Sequence, residues 1–305
     1  MALGLTALLA ACSTTTTPDT VSSIQVTGTS SIVIGQTKTL SAVAKDAGGN
    51  VLSGRAVTWT SSDPELVSVD ANGKITAHHF SVEAAKKTVT ITASSDGKTG
   101  TVAVLPYGFD ISCGTYMYST DADPEFAIYT RFRTPDGGSI GANTNYELAG
   151  PEGFNEGKAY PGMVFQSTSA GSIYGGARAL AGTYSASLTV AGVDYTDTCT
   201  VDPKVVLGPI STPTLTVTGN KASYSGTAPA KTKLVYAFLT DDKNRYTTSS
   251  SLLASPTFSL QGELTPAAPS GTYDAWIAAR NFNNALPMPE VVLISDTYAG
   301  ALTIP

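Results

Sequence analysis

In several places between residues 23 and 105 apolar side chains recur at every second position. Val89, Ile91 and Ala93 fall on one face with Thr88, Thr90 and Thr92 on the other, and Val57 and Trp59 alternate with Thr58 and Thr60. A period of two belongs to a half-buried strand and cannot be laid along a helix. The runs are separated by turn signals: Gly48-Gly49-Asn50, Ser61-Ser62-Asp63-Pro64, Asn72-Gly73 and Asp96-Gly97. Seven short strands fit in this stretch, which is enough for a sandwich.

The rest of the 305 residues extends the same class. Gly is 29, Pro 17 and Ser plus Thr 74, while charged residues are only 14%, against about 25% in an average domain. That mixture is poor for helices and suits strands joined by turns. Hydrophobic residues at 42% and aromatics at 8% supply enough apolar mass to exclude wholesale disorder. All 14 tyrosines and eight of the nine phenylalanines lie at or after Tyr107, so the composition changes at Leu105-Pro106 and implies a second kind of core. A net charge of −6 and a pI near 4.9 exclude the basic face of a nucleic-acid binder.

Residues 23–105 resemble a bacterial Ig-like domain of group 2, a module of surface proteins including intimin-type adhesins. The matching elements, in the family's order, are Ile24-Gln25-Val26, the Gly35-Gln36-Thr37 turn before Leu40, and Trp59-Thr60-Ser61-Ser62-Asp63-Pro64. They continue with Val67-Ser68-Val69-Asp70, Gly73-Lys74-Ile75-Thr76-Ala77, and Val89-Thr90-Ile91-Thr92-Ala93 before Thr101-Val102. Residues 78–87 depart from the pattern, where the family has a tighter turn with glycine.

Two later segments echo each other. Ala181-Gly182-Thr183-Tyr184-Ser185-Ala186 parallels Ser270-Gly271-Thr272-Tyr273-Asp274-Ala275. Each Gly turn leads into a strand with its apolar face begun by tyrosine: Tyr184, Ala186, Leu188 and Val190, then Tyr273, Ala275, Ile277 and Ala279. Residues 234–239 are apolar on both faces, as in a central strand. Gly208-Pro209-Ile210-Ser211-Thr212-Pro213 reads as a linker, because prolines are excluded from central strands. The expected fold is all-β: tandem Ig-like β-sandwiches at 23–105, 106–206 and 207–305.

The N-terminus sets the expected compartment. Residues 2–11 are a short apolar run ending Leu9-Ala10-Ala11-Cys12, too short to span a bilayer. It resembles the lipobox of bacterial lipoproteins, which implies a signal peptide at 1–11, an acylated Cys12 and a membrane attachment through lipid. Met1-Ala2-Leu3-Gly4 lacks the basic start of a secretory signal, which leaves a start further upstream open. Ser13 stands where aspartate would resemble an inner-membrane retention signal, so the expected location is the outer membrane or cell surface. Residues 12–22 read as a disordered tether carrying the lipid, with four consecutive threonines and Pro18.

With Cys12 committed to lipid, Cys113 and Cys199 remain as one possible disulfide. No metal or other cofactor is expected: Cys-x-x-Cys spacing is lacking, and His78 and His79 in extended chain, with Glu83 nearby, would point to opposite faces. Asp121, Asp123 and Glu125, like Asp241, Asp242 and Asn244, lack calcium-loop spacing. No catalytic residues are assigned. Gly137-Gly138-Ser139-Ile140-Gly141 formally fits Gly-x-Ser-x-Gly, yet both histidines lie upstream and no helical stripe follows. Ser95-Asp96-Gly97-Lys98 fits Ser-x-x-Lys but sits in a hairpin turn.

The stretch 141–162 shows no strand-length alternation and carries Tyr146, Phe154 and Tyr160 among glycines and prolines. Long loops in compact domains are commonly functional, so these three aromatics are the expected partner-binding residues; the competing reading has them plug their own sandwich. Two function classes follow. One is a non-catalytic lipid-anchored envelope protein projecting Ig-like modules for adhesion or assembly with other surface proteins. The other is a carbohydrate-binding or accessory lipoprotein acting on envelope glycans. An exposed planar row of Tyr or Trp in the second or third unit favours glycans; a broad flat apolar patch favours protein assembly.

Overall fold

The computed structural model describes residues 20–81, 87–138, 140, 144–157, 163–165, 172–174, 176–282 and 291–305. The fold is all-β. Among the described residues the only helical element is a 3-10 turn at Phe154–Gly157.

The first unit holds β1 (Ser23–Thr27), β2 (Ser31–Val33), β3 (Thr37–Thr39), β4 (Ser41–Lys45), β5 (Thr58–Ser61), β6 (Val67–Val69), β7 (Lys74–Ala77) and β8 (Val89–Ser95). Strands β3, β7 and β6 form one layer, and β5 and β8 join the first part of β9 (Lys98–Tyr118) in the other. Ile32, Leu40, Leu66, Ile75, Ile91 and Val104 fill the space between them. The Asn72-Gly73 turn is held against Leu40 and Trp59, where a Cβ on Gly73 would meet the Leu40 carbonyl at 2.7 Å. The Asp96-Gly97 turn has both residues at positive φ, 48° and 76°, the geometry of a tight hairpin.

The change of composition at Leu105-Pro106 is a change of core, not a break in the chain. Strand β9 runs for 21 residues straight through it, with Pro106 facing Ile32 of β2 in parallel register. Its first part belongs to the first core, while Phe109, Ile111 and Cys113 enter the second.

That second core is built from β10 (Glu125–Arg133), β11 (Thr144–Ala149), β12 (Met163–Phe165), β13 (Ser172–Tyr174), β14 (Gly182–Val190) and β15 (Val193–Val201). One sheet is ordered β12-β11-β14-β15, and it faces β13-β10-β9. The third unit holds β16 (Ser211–Thr218), β17 (Lys221–Thr227), β18 (Leu234–Thr240), β19 (Arg245–Thr247), β20 (Ser251–Leu252), β21 (Thr257–Glu263), β22 (Gly271–Arg280) and β23 (Val292–Ile304). Its β16-β17-β21 sheet packs on β23-β22-β18-β19.

Two sequence expectations need correction here. Gly208-Pro209-Ile210-Ser211-Thr212-Pro213 is not a free linker: Leu207 and Ile210 are buried in the third core, and Ile210 N–H donates to Thr297 Oγ1 at 2.8 Å. Pro213 is tolerated because β16 is an edge strand whose register shifts between Ser211 and Thr214. Nor are the second and third units separate beads. Strand β23 pairs in parallel with β9, Val292 opposite Gly114 through Asp296 opposite Tyr118, so both units share one sheet ordered β13-β10-β9-β23-β22-β18-β19.

The echoed tyrosines do as their sequence suggests. Tyr184, Ala186 and Leu188 line the second core and Tyr273, Ala275, Ile277 and Ala279 the third. Each tyrosine hydroxyl also donates to a carbonyl four residues upstream, Tyr184 to Leu180 at 3.0 Å and Tyr273 to Pro269 at 2.7 Å. Strand β18 is buried on both faces from Leu234 to Leu239.

Candidate functional site

Cys113 and Cys199 form a disulfide with Cα atoms 5.7 Å apart. It ties β9 in one sheet to the edge strand β15 in the other. Beside it, Asp197 Oδ2 accepts from Ile111 N–H at 2.9 Å, satisfying a donor on the free edge of β9.

The aromatic-loop expectation is overturned for the two residues the structure describes. Residues 144–149 are strand β11, and Tyr146 points into the second core with only 3% exposure. Phe154 lies edge-on to Tyr184 at 4.9 Å and to Phe126 at 5.2 Å. Both rings fill the end of their own sandwich, because that unit needs large side chains between sheets. Tyr160 lies outside the described residues, as do Cys12, Glu83, Ser139 and Gly141.

His78 and His79 point apart. The His78 ring reaches Ser68 Oγ at 2.8 Å, and His79 Nδ1 reaches Asp110 Oδ1 at 2.7 Å. Residues 78–81 therefore strap the first unit onto the outer face of β9 and β10. There Asp110, Arg131 and Arg133 replace the apolar residues of the inner face. Arg131, 1% exposed, donates to Phe80 O at 2.9 Å and to Asp110 Oδ2 at 3.3 Å. Arg133 donates to Ser81 O, and to Lys87 O and Pro106 O at 3.3 Å each. Both guanidinium groups lie over the Phe80 ring, at 5.0 and 4.4 Å. Burial, reinforced by the charge of Arg131, lowers Arg133 to about 10. Burial presses His79 down, but the charge and hydrogen bond of Asp110 outweigh it and raise its pKa. Asp197 is raised to about 6, chiefly by burial. These charges are spent on holding two units together.

Ser95 and Lys98 pair across the hairpin tip with Ser95 buried, so the Ser-x-x-Lys spacing is that of a turn. Asp241 Oδ1 accepts from Lys243 and Asn244 N–H at 2.8 and 2.7 Å, closing its own hairpin. Asp123 faces Arg178 at 3.5 Å, and Glu125 accepts from Gly176 N–H at 2.9 Å.

The surface that collects chemistry is one the sequence expectations missed: the outer face of the shared sheet beyond β10. Register places Trp276 of β22 between Phe238 of β18 and Tyr298 of β23. Tyr118 of β9 abuts Trp276 at 5.9 Å, Tyr298 approaches it at 5.1 Å, and Phe238 stacks on it at 6.2 Å. Tyr116 stacks on Tyr118 at 4.7 Å. Tyr118 and Trp276 are half-buried and Tyr298 is 37% exposed. The signal was present as aromatic and charged residues on alternate positions opposite the apolar face: Tyr236 and Phe238, Trp276 and Arg280, Asp296 and Tyr298.

Next to this row lies a cleft of about 400 Å³ lined by Tyr116, Tyr236, Arg245, Thr248, Ser250 and Arg280. Tyr236 Oη accepts from Arg280 at 2.5 Å and from Arg245 at 3.4 Å. Arg245 stacks on Phe238 at 3.6 Å and Arg280 on Tyr236 at 4.8 Å. Beneath them Asp296 is wholly buried. Its Oδ2 accepts from the Tyr116 hydroxyl and lies 4.0 Å from Arg245, while Oδ1 has no partner among the described residues. Burial raises the Asp296 carboxyl, against the opposing Tyr116 hydrogen bond and the charges of Arg245 and Arg280. Burial and Asp296 likewise push the Tyr116 hydroxyl far up.

No protein-family model matches the chain, and no curated protein matches it. Solved structures do. A GH10 xylanase from termite gut containing a bacterial Ig-like domain aligns at 29% identity over 25% of this chain and 18% of its own, with a TM-score of 0.19. The S-layer protein rSbsC aligns at 16% identity over 92% of this chain and 41% of its own, at 0.20. The Escherichia coli adhesin FdeC aligns at 13% identity over 90% and 96%, also at 0.20. The chain thus spans less than half the length of the first two.

Proposed function

We propose that this is a non-catalytic protein of the bacterial cell envelope, held by lipid on Cys12, that projects its sandwiches from the membrane and binds glycan on the outer face of the shared sheet. The observation that carries the reading is the Tyr118, Trp276 and Tyr298 row, open on one side and backed by Phe238. Aromatic faces pack against the C–H surfaces of sugar rings, and flanking polar groups then serve the hydroxyls. The Tyr118 and Tyr298 rings incline to Trp276 by 77° and 59°, so the row is a trough and not the planar platform expected from sequence, and its width suits a single saccharide chain. The other exposed large apolar residues are Val193 on β15, Leu252 on β20, and Val51 and Val206 outside the strands, and single exposed side chains of this kind need no partner to explain them. Catalysis finds no support in the two histidines: His79 is committed to Asp110, and His78 stands on the other side of the strap.

The test is co-sedimentation of the unlipidated chain with purified envelope polysaccharide and, separately, with deglycosylated envelope proteins. Retention by polysaccharide is expected. Retention by the proteins alone restores the assembly reading.

A further inference from the structure

We infer that the cleft beside the aromatic row takes the acid group of an anionic saccharide, with Arg245 and Arg280 as its cationic partners and the sugar ring lying toward Tyr118 and Trp276. The inference rests on the glycan reading above and specifies the class of sugar. Both guanidinium groups converge on one phenol oxygen, that of Tyr236, which carries no charge to neutralise either. Among the described residues no carboxylate lies within ion-pair distance of Arg280, and the one near Arg245 is Asp296 at 4.0 Å.

Arg280 is half-buried, and a guanidinium that loses part of its hydration gains from an anion that replaces it. Arg280 keeps Nε without a partner, and Arg245 remains partly exposed at the mouth of the cleft. Stacking on Phe238 and Tyr236 fixes both side chains, so little ordering is needed when an anion arrives. Thr247, Thr248 and Ser250 add hydroxyls to the lining and Ile294 an apolar side chain, with the Thr248 hydroxyl also accepting from Ala237 N–H, and the volume, about 400 Å³, falls within the range of small-molecule sites. The buried Asp296 holds the Tyr116 hydroxyl by accepting its hydrogen bond. The Tyr116 ring, stacked on Tyr118, links the cleft to the row.

The experiment titrates the full chain with three probes: an oligogalacturonide, its neutral methyl-esterified form, and inorganic sulfate. The acidic oligomer should bind about tenfold tighter than the neutral one, and both far better than sulfate. Arg245→Gln and Arg280→Gln should each bring the acidic oligomer to within about twofold of the neutral one while leaving neutral binding in place. Thermal melts of both variants are run in parallel, and Arg245, the more exposed, supplies the decisive variant if Arg280→Gln is destabilised. Equal binding of both oligomers by wild type, lost in Trp276→Ala, overturns the anionic specificity and leaves the glycan reading standing. Sulfate binding as tight as the acidic oligomer overturns the saccharide and leaves a plain anion site. Binding of none of the probes removes both.

Discussion

Arg131 Nη2 donates to the carbonyl of Phe80 at 2.9 Å across the boundary between the first and second units. The same nitrogen reaches Asp110 at 3.3 Å, so one buried cation fixes the strap, the strand and the carboxylate. Arg131→Met leaves Asp110 buried beside a half-buried His79 with its main counter-charge gone. Breaking one side of a buried pair costs about 3–5 kcal/mol, and the denaturant midpoint should fall accordingly. A loss below about 1 kcal/mol would mean that the strap does not hold the units together.

The same cluster sets a pH dependence. His79 is raised above its ordinary value of 6.5, so its contribution is complete below that value and is lost as pH rises through the folded pKa. Asp197 is raised from 3.8 to about 6, so the folded state favours its protonated form and stability likewise declines as pH climbs between these values. Melting temperature should therefore fall as pH climbs from about 4 to about 6, through Asp197, and fall again above pH 6.5, through His79. The fall should shrink at the upper end in His79→Gln and at the lower end in Asp197→Asn. Parallel profiles for wild type and both variants would show that neither group is linked to folding.

Gly114 is required at the seam between β9 and β23, because a Cβ there would stand 1.9 Å from the Val292 carbonyl oxygen. Backbone cannot yield as a side-chain tip can, so Gly114→Ala should separate the two strands. Hydrogen exchange should then quicken along residues 292–296 and 114–118. Unchanged protection there would show that the second and third units do not depend on the shared sheet.

The disulfide closes 86 residues between Cys113 and Cys199, for which the chain-entropy model gives at most about 4.6 kcal/mol. Because β9 also carries β23, reduction should lower the melting of the second and third units together, within one transition. Two free thiols in the protein purified without reductant would contradict the pairing.

The strands were legible wherever burial is one-sided. Val89, Ile91 and Ala93 alternate cleanly because one face of β8 meets water, and Tyr184 and Tyr273 announce their strands because each starts an apolar face after a glycine turn. Strand β11 was hidden because its alternation is short: only Tyr146 is fully buried and Leu148 partly so, between exposed Asn145 and Glu147. The binding face was illegible for a different reason. Tyr116 of β9 is far in the chain from Trp276, Arg280 and Asp296 of β22 and β23, and parallel pairing of β9 with β23, which no local pattern encodes, brings them together. Likewise Arg131 and Arg133 look like the polar face of an exposed strand until residues 78–81 are laid over them.

The most direct test of the glycan-binding face uses the fact that the chain has two tryptophans. In a Trp59→Phe background, Trp276 alone reports on the row, while Trp59 belongs to the first unit. Titration with envelope polysaccharide should give a saturable change in Trp276 emission, abolished by Tyr118→Ala together with Tyr298→Ala. Saturable binding of the polysaccharide with no change in Trp276 emission, and undiminished in that double variant, would contradict the account.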